Sequence, residues 1–211
     1  MDTKTKKEKN HFWSKWILFN ALGLFIGYAI SMFISVLMDF NDHVEYEWSS
    51  PIYQTTKFII VGTFIGLCVG FTQWLLLRKR FKVSLFWVFS VALGFIIAEL
   101  IIGFALWKQD INRDTLTFIE SGKPAAYVLI KFFTGLIIGL IQLPMLREYF
   151  SKVYYWIFAS SLAWGISALI PAIMPRSNYA FVITFILGFL LYGSITGAVL
   201  TWLQPSKEIK Q

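Results

Sequence analysis

Six times along the chain, a stretch of about twenty or more residues runs with almost no charge and ends at cations, acids or turn residues. A helix rises about 1.5 Å per residue, so each stretch is long enough to cross a hydrocarbon layer of roughly 30 Å. Hydrophobic residues make up 57% of the sequence and charged ones only 15%, and a soluble domain could not hide that much apolar surface. The expectation is therefore an all-α fold: a polytopic membrane helical bundle of six transmembrane helices, with spans near 13–38, 56–78, 84–107, 125–147, 153–174 and 179–203.

The segment Met1–Lys15 is basic, and the apolar run that follows, Trp16–Met38, exceeds the roughly 7 to 15 residues of a signal-peptide core. It is read as the first span. Placing the N-terminus inside puts Lys4, Lys6, Lys7, Lys9, Lys15, Arg78, Lys79, Arg80, Lys82, Arg147, Lys152, Lys207 and Lys210 on that side, 13 of the 19 cations. That bias predicts both termini on the cytoplasmic side. A prokaryotic plasma membrane is the expected location. The outer loops instead collect Asp39, Asp42, Glu45, Glu47, Asp110, Asp114 and Glu120. Trp13, Trp16, Trp48, Trp74, Trp107 and Trp202, with Tyr149, Tyr154 and Tyr155, fall near span ends, where amphipathic rings are expected at the headgroups.

The spans pair into three related helical hairpins of a single membrane domain, residues 1-211: a basic cytoplasmic tail at 1-12, then hairpins at 13-81, 84-150 and 153-205. The second span reads Gly66-x-x-x-Gly70-x-x-Gln73, with Arg78 five residues on. The fourth reads Gly135-x-x-x-Gly139-x-x-Gln142, with Arg147 five residues on. The sixth keeps Gly193-x-x-x-Gly197, but Leu200 stands where Gln is expected and Pro205 where Arg is expected. In the odd spans Trp16 precedes Ala21-Leu22-Gly23, Trp87 precedes Ala92-Leu93-Gly94, and Trp156 precedes Ser161-Leu162-Ala163, at one offset. Gly62, Gly66, Gly70 and Gln73 share a helical face, as do Lys131, Gly135, Gly139 and Gln142. Small residues let backbones approach, and an amide in hydrocarbon seeks a partner, so these faces are expected against protein. Packing is the first reading of these residues, and solute binding by Gln73 and Gln142 the second.

The string Gly66-Leu-Cys-Val-Gly70-Phe-Thr-Gln73-Trp74-Leu75-Leu76-Leu77-Arg78 resembles a repeated signature of multi-pass proteins of bacterial membranes. The resemblance implies the membrane bundle and no particular activity. Three two-helix repeats also resemble the mitochondrial carriers, but the Pro-x-Asp/Glu-x-x-Lys/Arg motif of that family is missing from all three odd spans.

Ionisable groups inside a span are costly and usually face the bundle interior, which singles out Glu99 and Lys131. Glu99 lies eight residues before Trp107, roughly 12 Å from the outer end, and Lys131 six after Ala125, roughly 9 Å from it. Similar depths on consecutive antiparallel spans make an ion pair feasible. Three readings stay open: a structural pair, or a snorkelling Lys131 beside a protonated Glu99; a site for a proton, cation or basic headgroup; and a catalytic acid or base. Pro144 removes a backbone donor within the fourth span and is expected to kink its inner end.

Enzyme signatures are missing: no zinc-protease helix, no phosphate-binding Gly-Lys loop, and a Gly193-Ser-Ile-Thr-Gly197 string whose serine is misplaced for a nucleophile elbow. No catalytic residue is assigned. His11 and His43 fall on opposite sides, and Cys68 has no partner cysteine, so no metal site, disulfide or cofactor is expected. The net charge of +7 orients spans and offers no basic face for nucleic acid. The expected partner is the lipid bilayer, with a membrane protein or a second copy as a further one. The leading functional expectation is binding or translocation of a small solute, ion or lipid through the bundle interior. The alternatives are a non-catalytic accessory protein packing on a partner through its glycine faces and, third, an intramembrane lipid-modifying enzyme.

Overall fold

A computed structural model describes residues 3–41, 51–107, 124–173 and 178–203, and these form helices and short connections with no strand. The helices are α1 (Thr3–Asn41), α2 (Pro51–Phe81), α3 (Phe86–Trp107), α4 (Pro124–Arg147), α5 (Tyr154–Ile173) and α6 (Asn178–Trp202). The last four helices begin and end close to the bounds read from the sequence. The first runs longer at its start: the Lys-rich segment expected as a tail continues the helix, because lysine favours helix and no glycine or proline interrupts it. Pro51 and Pro124 each open a helix, where the fixed φ is pre-set and the missing N–H costs nothing. At Pro144, α4 continues as one element.

The two short connections turn alike. Lys82 (φ 52°), after α2, and Lys152 (φ 58°), before α5, adopt the left-handed conformation as the chain turns from α2 to α3 and from α4 to α5. Ser84 Oγ then accepts from the Phe86 N–H at 3.2 Å, capping the start of α3.

Each helix packs against its neighbours in sequence, and α1 also packs against α6, so the chain closes into a ring. Glycine sets the approach at most of the seams, among them α1–α2, where a Cβ on Gly27 would stand 2.8 Å from Ile65 Cα, and α3–α4, where one on Gly94 would stand 3.1 Å from Ile138 Cα. A Cβ on Gly66 would stand 2.6 Å from Ala92 Cα, and one on Gly70 would stand 2.9 Å from Val88 Cα, between α2 and α3. Gly135 lies directly against the Ser160 carbonyl, and a Cβ on Gly139 would stand 3.0 Å from Ile157 Cα, between α4 and α5. A Cβ on Gly193 would stand 2.9 Å from Ile17 Cα, between α6 and α1, and Gly197 lies under the Trp16 and Trp13 rings. Gly62 is buried on the same stripe of α2. Half-buried Cys68 packs at the α1–α2 seam, where a Cβ on Gly27 would meet its Cβ at 3.4 Å.

The distribution of polarity is inverted relative to a water-soluble bundle. Asn20, Gln73, Ser90, Thr134, Gln142, Ser160 and Thr196 are buried, while Phe25, Phe33, Phe71, Phe89, Leu129, Phe133, Phe158, Leu162 and Ile186 are exposed, spread over all six helices. Stretches long and apolar enough to cross a membrane occur in three helices, over Glu8–Met38, Thr55–Phe81 and Ala125–Arg147. Among the described residues, α3, α5 and α6 carry shorter apolar stretches, Phe86–Ala98, Tyr154–Ile170 and Ile186–Trp202.

The end of the bundle that carries the two short connections is plugged by apolar side chains. Phe12, Leu77, Leu146, Phe150, Leu200 and Leu203 are buried there, and Phe81 meets Phe150 at 4.7 Å and Phe12 at 6.4 Å between ring centroids. Cations surround the plug: the Arg80 guanidinium lies 4.8 Å from the Phe12 ring centre and Arg78 lies 4.5 Å from that of Trp74.

Candidate functional site

Just below that plug, three indoles meet at the centre of the ring. Trp16, Trp87 and Trp156 are each 0% exposed, and Trp156 lies 6.2 Å from each of the other two. Burying an indole N–H without an acceptor is costly, and each one has its acceptor on the adjoining even-numbered helix. Trp87 Nε1 donates to Gln73 Oε1 at 3.0 Å, Trp156 Nε1 to Gln142 Oε1 at 2.8 Å, and Trp16 Nε1 to Thr196 Oγ1 at 2.9 Å. The result is a belt of neutral hydrogen bonds in the bundle core.

The third bond corrects the register read from sequence. Aligning Gly193 with Gly66 puts Leu200 in the place of Gln73. In space Gly193 instead packs as Gly70 and Gly139 do: Gly70 faces Val88 and Val91, Gly139 faces Ile157 and Ser160, and Gly193 faces Ile17 and Asn20. Those facing pairs sit one and four residues after Trp87, Trp156 and Trp16. The α6–α1 seam thus keeps the register of the other two, with Gly193 matching Gly70 and not Gly66, and Thr196 takes the acceptor's place while Leu200 joins Leu77 and Leu146 in the plug. Thr196 was not recognised in the sequence because a threonine four residues before the expected position matches no glutamine.

Trp16 is a second correction. It was expected at the headgroups, yet it lies in the core beside Trp87 and Trp156. The available clue is the shared offset of these three tryptophans from the small residues that follow them. Of the other aromatics expected at interfaces, Trp13, Trp202, Tyr154 and Tyr155 are exposed and Trp74 is half-buried, donating to the Val83 carbonyl at 3.0 Å. Trp13 donates to the Ser194 carbonyl at 3.0 Å, while the side chains of Trp48 and Trp107 lie outside the described residues.

The polar surroundings of the two glutamines differ. Gln73 Nε2 donates to Asn20 Oδ1 at 2.7 Å, and Asn20 Nδ2 donates to the Trp16 carbonyl at 2.8 Å, so this amide is satisfied on both sides. The Gln142 amide is oriented by the same logic, since Oε1 must accept from Trp156, but its Nε2 has no partner. The residue four after Trp87, where Asn20 stands four after Trp16, is Val91, which offers no acceptor. The third such position is Ser160, whose Cβ would stand 3.3 Å from a Cβ on Gly139, and on α6 the Thr196 hydroxyl already donates to the Tyr192 carbonyl at 2.8 Å. Ser160 Oγ is likewise buried without a partner.

Lys131 and Glu99, singled out from sequence, lie on α4 and α3, whose seam is the least extensive of the ring. Lys131 is half-buried, with Nζ 5.8 Å from the Tyr127 ring centre. The Glu99 side chain is outside the described residues, as are loop residues 108–123 and Pro205. Among the described residues no three His, Cys, Asp or Glu side chains converge on a metal position. The belt itself holds only neutral groups, which can form hydrogen bonds but include none suited to proton transfer at neutral pH.

No protein family, no curated protein and no solved structure matches the chain.

Proposed function

We propose that the chain is a six-span protein of a prokaryotic plasma membrane, with both termini in the cytoplasm, made of three related hairpins about a pseudo-threefold axis. Its interior binds or moves a small solute, ion or lipid, with Glu99 and Lys131 as the charged residues of the outer half. The observation that carries this reading is the distribution of polarity: buried amides and hydroxyls bond to the three central indoles within an otherwise apolar core, while phenylalanine, leucine and isoleucine face outward on all six helices. Lipid accommodates such an exterior, and the buried Gln142 amide and Ser160 hydroxyl without partners leave polar capacity for a guest. The aromatic plug and the cations around it support a sealed cytoplasmic end.

The glycine faces weigh against the accessory reading. Gly66, Gly70, Gly135, Gly139 and Gly193 already pack on helices of this chain, so they are not open to another protein. The lipid-modifying enzyme gains no support, because the belt brings no nucleophile and base together.

Two measurements test the proposal. Side-specific thiol labelling of single cysteines, in a Cys68→Ser background, should mark positions 42–50 and 108–123 only from outside and positions 82–85 only from inside. Native mass spectrometry of the purified protein should show a retained guest that Glu99→Gln and Lys131→Gln lose with an unchanged melting temperature. Inside labelling of 42–50 would end the six-span reading, and a melting loss without any guest would make the charged pair structural.

A further inference from the structure

Matching Gly66, Gly70 and Gln73 with Gly135, Gly139 and Gln142 also pairs the ends of α2 and α4 at the plug, and there the two differ in charge. Residues 78–82 carry Arg78, Lys79, Arg80 and Lys82 and no acid. The stretch after α4 keeps Arg147, but Glu148, Tyr149 and Ser151 stand in place of the other three, with Lys152 following. With Gly193 matched to Gly70, Thr201 stands on α6 where Arg78 stands on α2. Two cations meet the bias that orients the second connection, so the first carries more positive charge than orientation requires.

The residues leading up to that charge differ as well. Phe71, Trp74 and Arg78 fall at intervals of three and four residues and share a stripe of α2. The Phe71 and Trp74 rings stand 5.9 Å apart between centroids, and the Arg78 guanidinium lies 4.5 Å from the Trp74 ring centre. The indole is itself anchored, because its Nε1 donates to the Val83 carbonyl at 3.0 Å across the turn. Phe71 and Arg78 are exposed and Trp74 is half-buried, so this ladder lies on the outside of the bundle. Its counterparts on α4 are Leu140, Leu143 and Arg147, which lack the rings.

Attraction to a ring holds a guanidinium in place without giving it a hydrogen-bond acceptor. Among the described residues Arg78 makes no hydrogen bond or ion pair, so its donors are available to an anion. Arg80 is held in the same manner, 4.8 Å from the Phe12 ring centre and 5.3 Å from that of Phe81. Exposed Lys79 and Lys82 add to the local potential.

We propose that the end of α2 at the plug binds an anionic phospholipid. Arg78 donates to the phosphate, Lys79, Arg80 and Lys82 supply the surrounding positive potential, and an acyl chain lies along Trp74 and Phe71. A cation fixed at the end of an outward-facing aromatic stripe matches a molecule that is anionic at one end and apolar at the other, which favours a lipid over a soluble anion. A zwitterionic lipid gains less, since its ammonium would enter a cluster of four cations. The inference rests on the membrane topology proposed above and is independent of any interior guest.

The test uses the full chain in dodecyl maltoside micelles, titrated with dioleoyl phosphatidylglycerol or dioleoyl phosphatidylcholine and read by native mass spectrometry. The anionic lipid should bind about tenfold more tightly. Arg78→Gln should weaken it about fivefold, and Trp74→Leu, which gives α2 the residue that α4 carries, about threefold. Arg147→Gln makes the same change of charge at the matching position of α4 and should alter binding less than about twofold. No preference for the anionic lipid overturns the proposal. Equal losses in Arg78→Gln and Arg147→Gln also overturn it, leaving only the general attraction of a cationic surface. Soluble glycerophosphoglycerol bound as tightly as the lipid overturns it in favour of a free phosphate ester, and displacement of the lipid by an equal concentration of hexaglutamate peptide overturns it in favour of an acidic protein segment. If positions 82–85 label from inside and no lipid preference is found, this inference fails while the topology stands. A preference lost in Arg78→Gln together with outside labelling of 82–85 would keep the site and end the topology.

Discussion

The seams around Gln73 and Gln142 are built from the same parts and finished differently. Both have a paired-glycine approach, a buried glutamine and a fully buried tryptophan that donates to it. In the first, Asn20 completes the network; in the second, Val91 leaves the amide nitrogen bare. A shared scaffold thus keeps the helices in place while single residues decide whether its polar capacity is closed or left for something else. The α6–α1 seam is a third variant, in which Thr196 stands in the glutamine's place and serves the indole of Trp16.

Substitutions can break this comparison. The largest effect is expected at Gly66→Ala, where the new Cβ would meet the Ala92 backbone at 2.6 Å and cannot be relieved by a side-chain movement. A loss of about 3 kcal/mol is expected in detergent unfolding. The control Gly188→Ala, whose Cβ would stand 3.4 Å from the Ser167 carbonyl, should change stability by less than about 0.5 kcal/mol. Next comes Gln73→Leu, which strands the Trp87 indole N–H and the Asn20 amide oxygen and should cost about 2 kcal/mol. Gln142→Leu strands one indole but also removes an unpaired amide, so it should cost at most about 1 kcal/mol. Equal losses for the two glutamines would erase the distinction between the seams. Smallest is Thr196→Val, which keeps volume while removing the acceptor of Trp16 and should cost about 1 kcal/mol or less, read as faster exchange of that indole N–H.

Much of this was legible in the residues. The glycine pairs at 66/70 and 135/139 fall against neighbouring helices, and Gln73 and Gln142 turn inward, because close approach and amide desolvation depend on residue type and helical spacing alone. Asn20, Thr196 and the open state of Val91 were not legible. A polar residue announces that it needs a partner but not which one, and the Trp16–Thr196 bond joins residues 180 positions apart. Trp16 misled for a related reason: a tryptophan near a span end has the same composition signal whether its ring faces headgroups or the core.

By itself the sequence determined that the chain would be helical and inverted in polarity, since apolar length and the placement of charge are local properties that no later contact can change. Tertiary structure alone decided that the first and last helices close the ring, that they do so with Gly193 and Thr196 in the register of Gly70 and Gln73, and which buried donors are left without acceptors. Those outcomes depend on how rigid helices slide against one another, and the sliding is set by the summed packing of whole seams, not by any single residue.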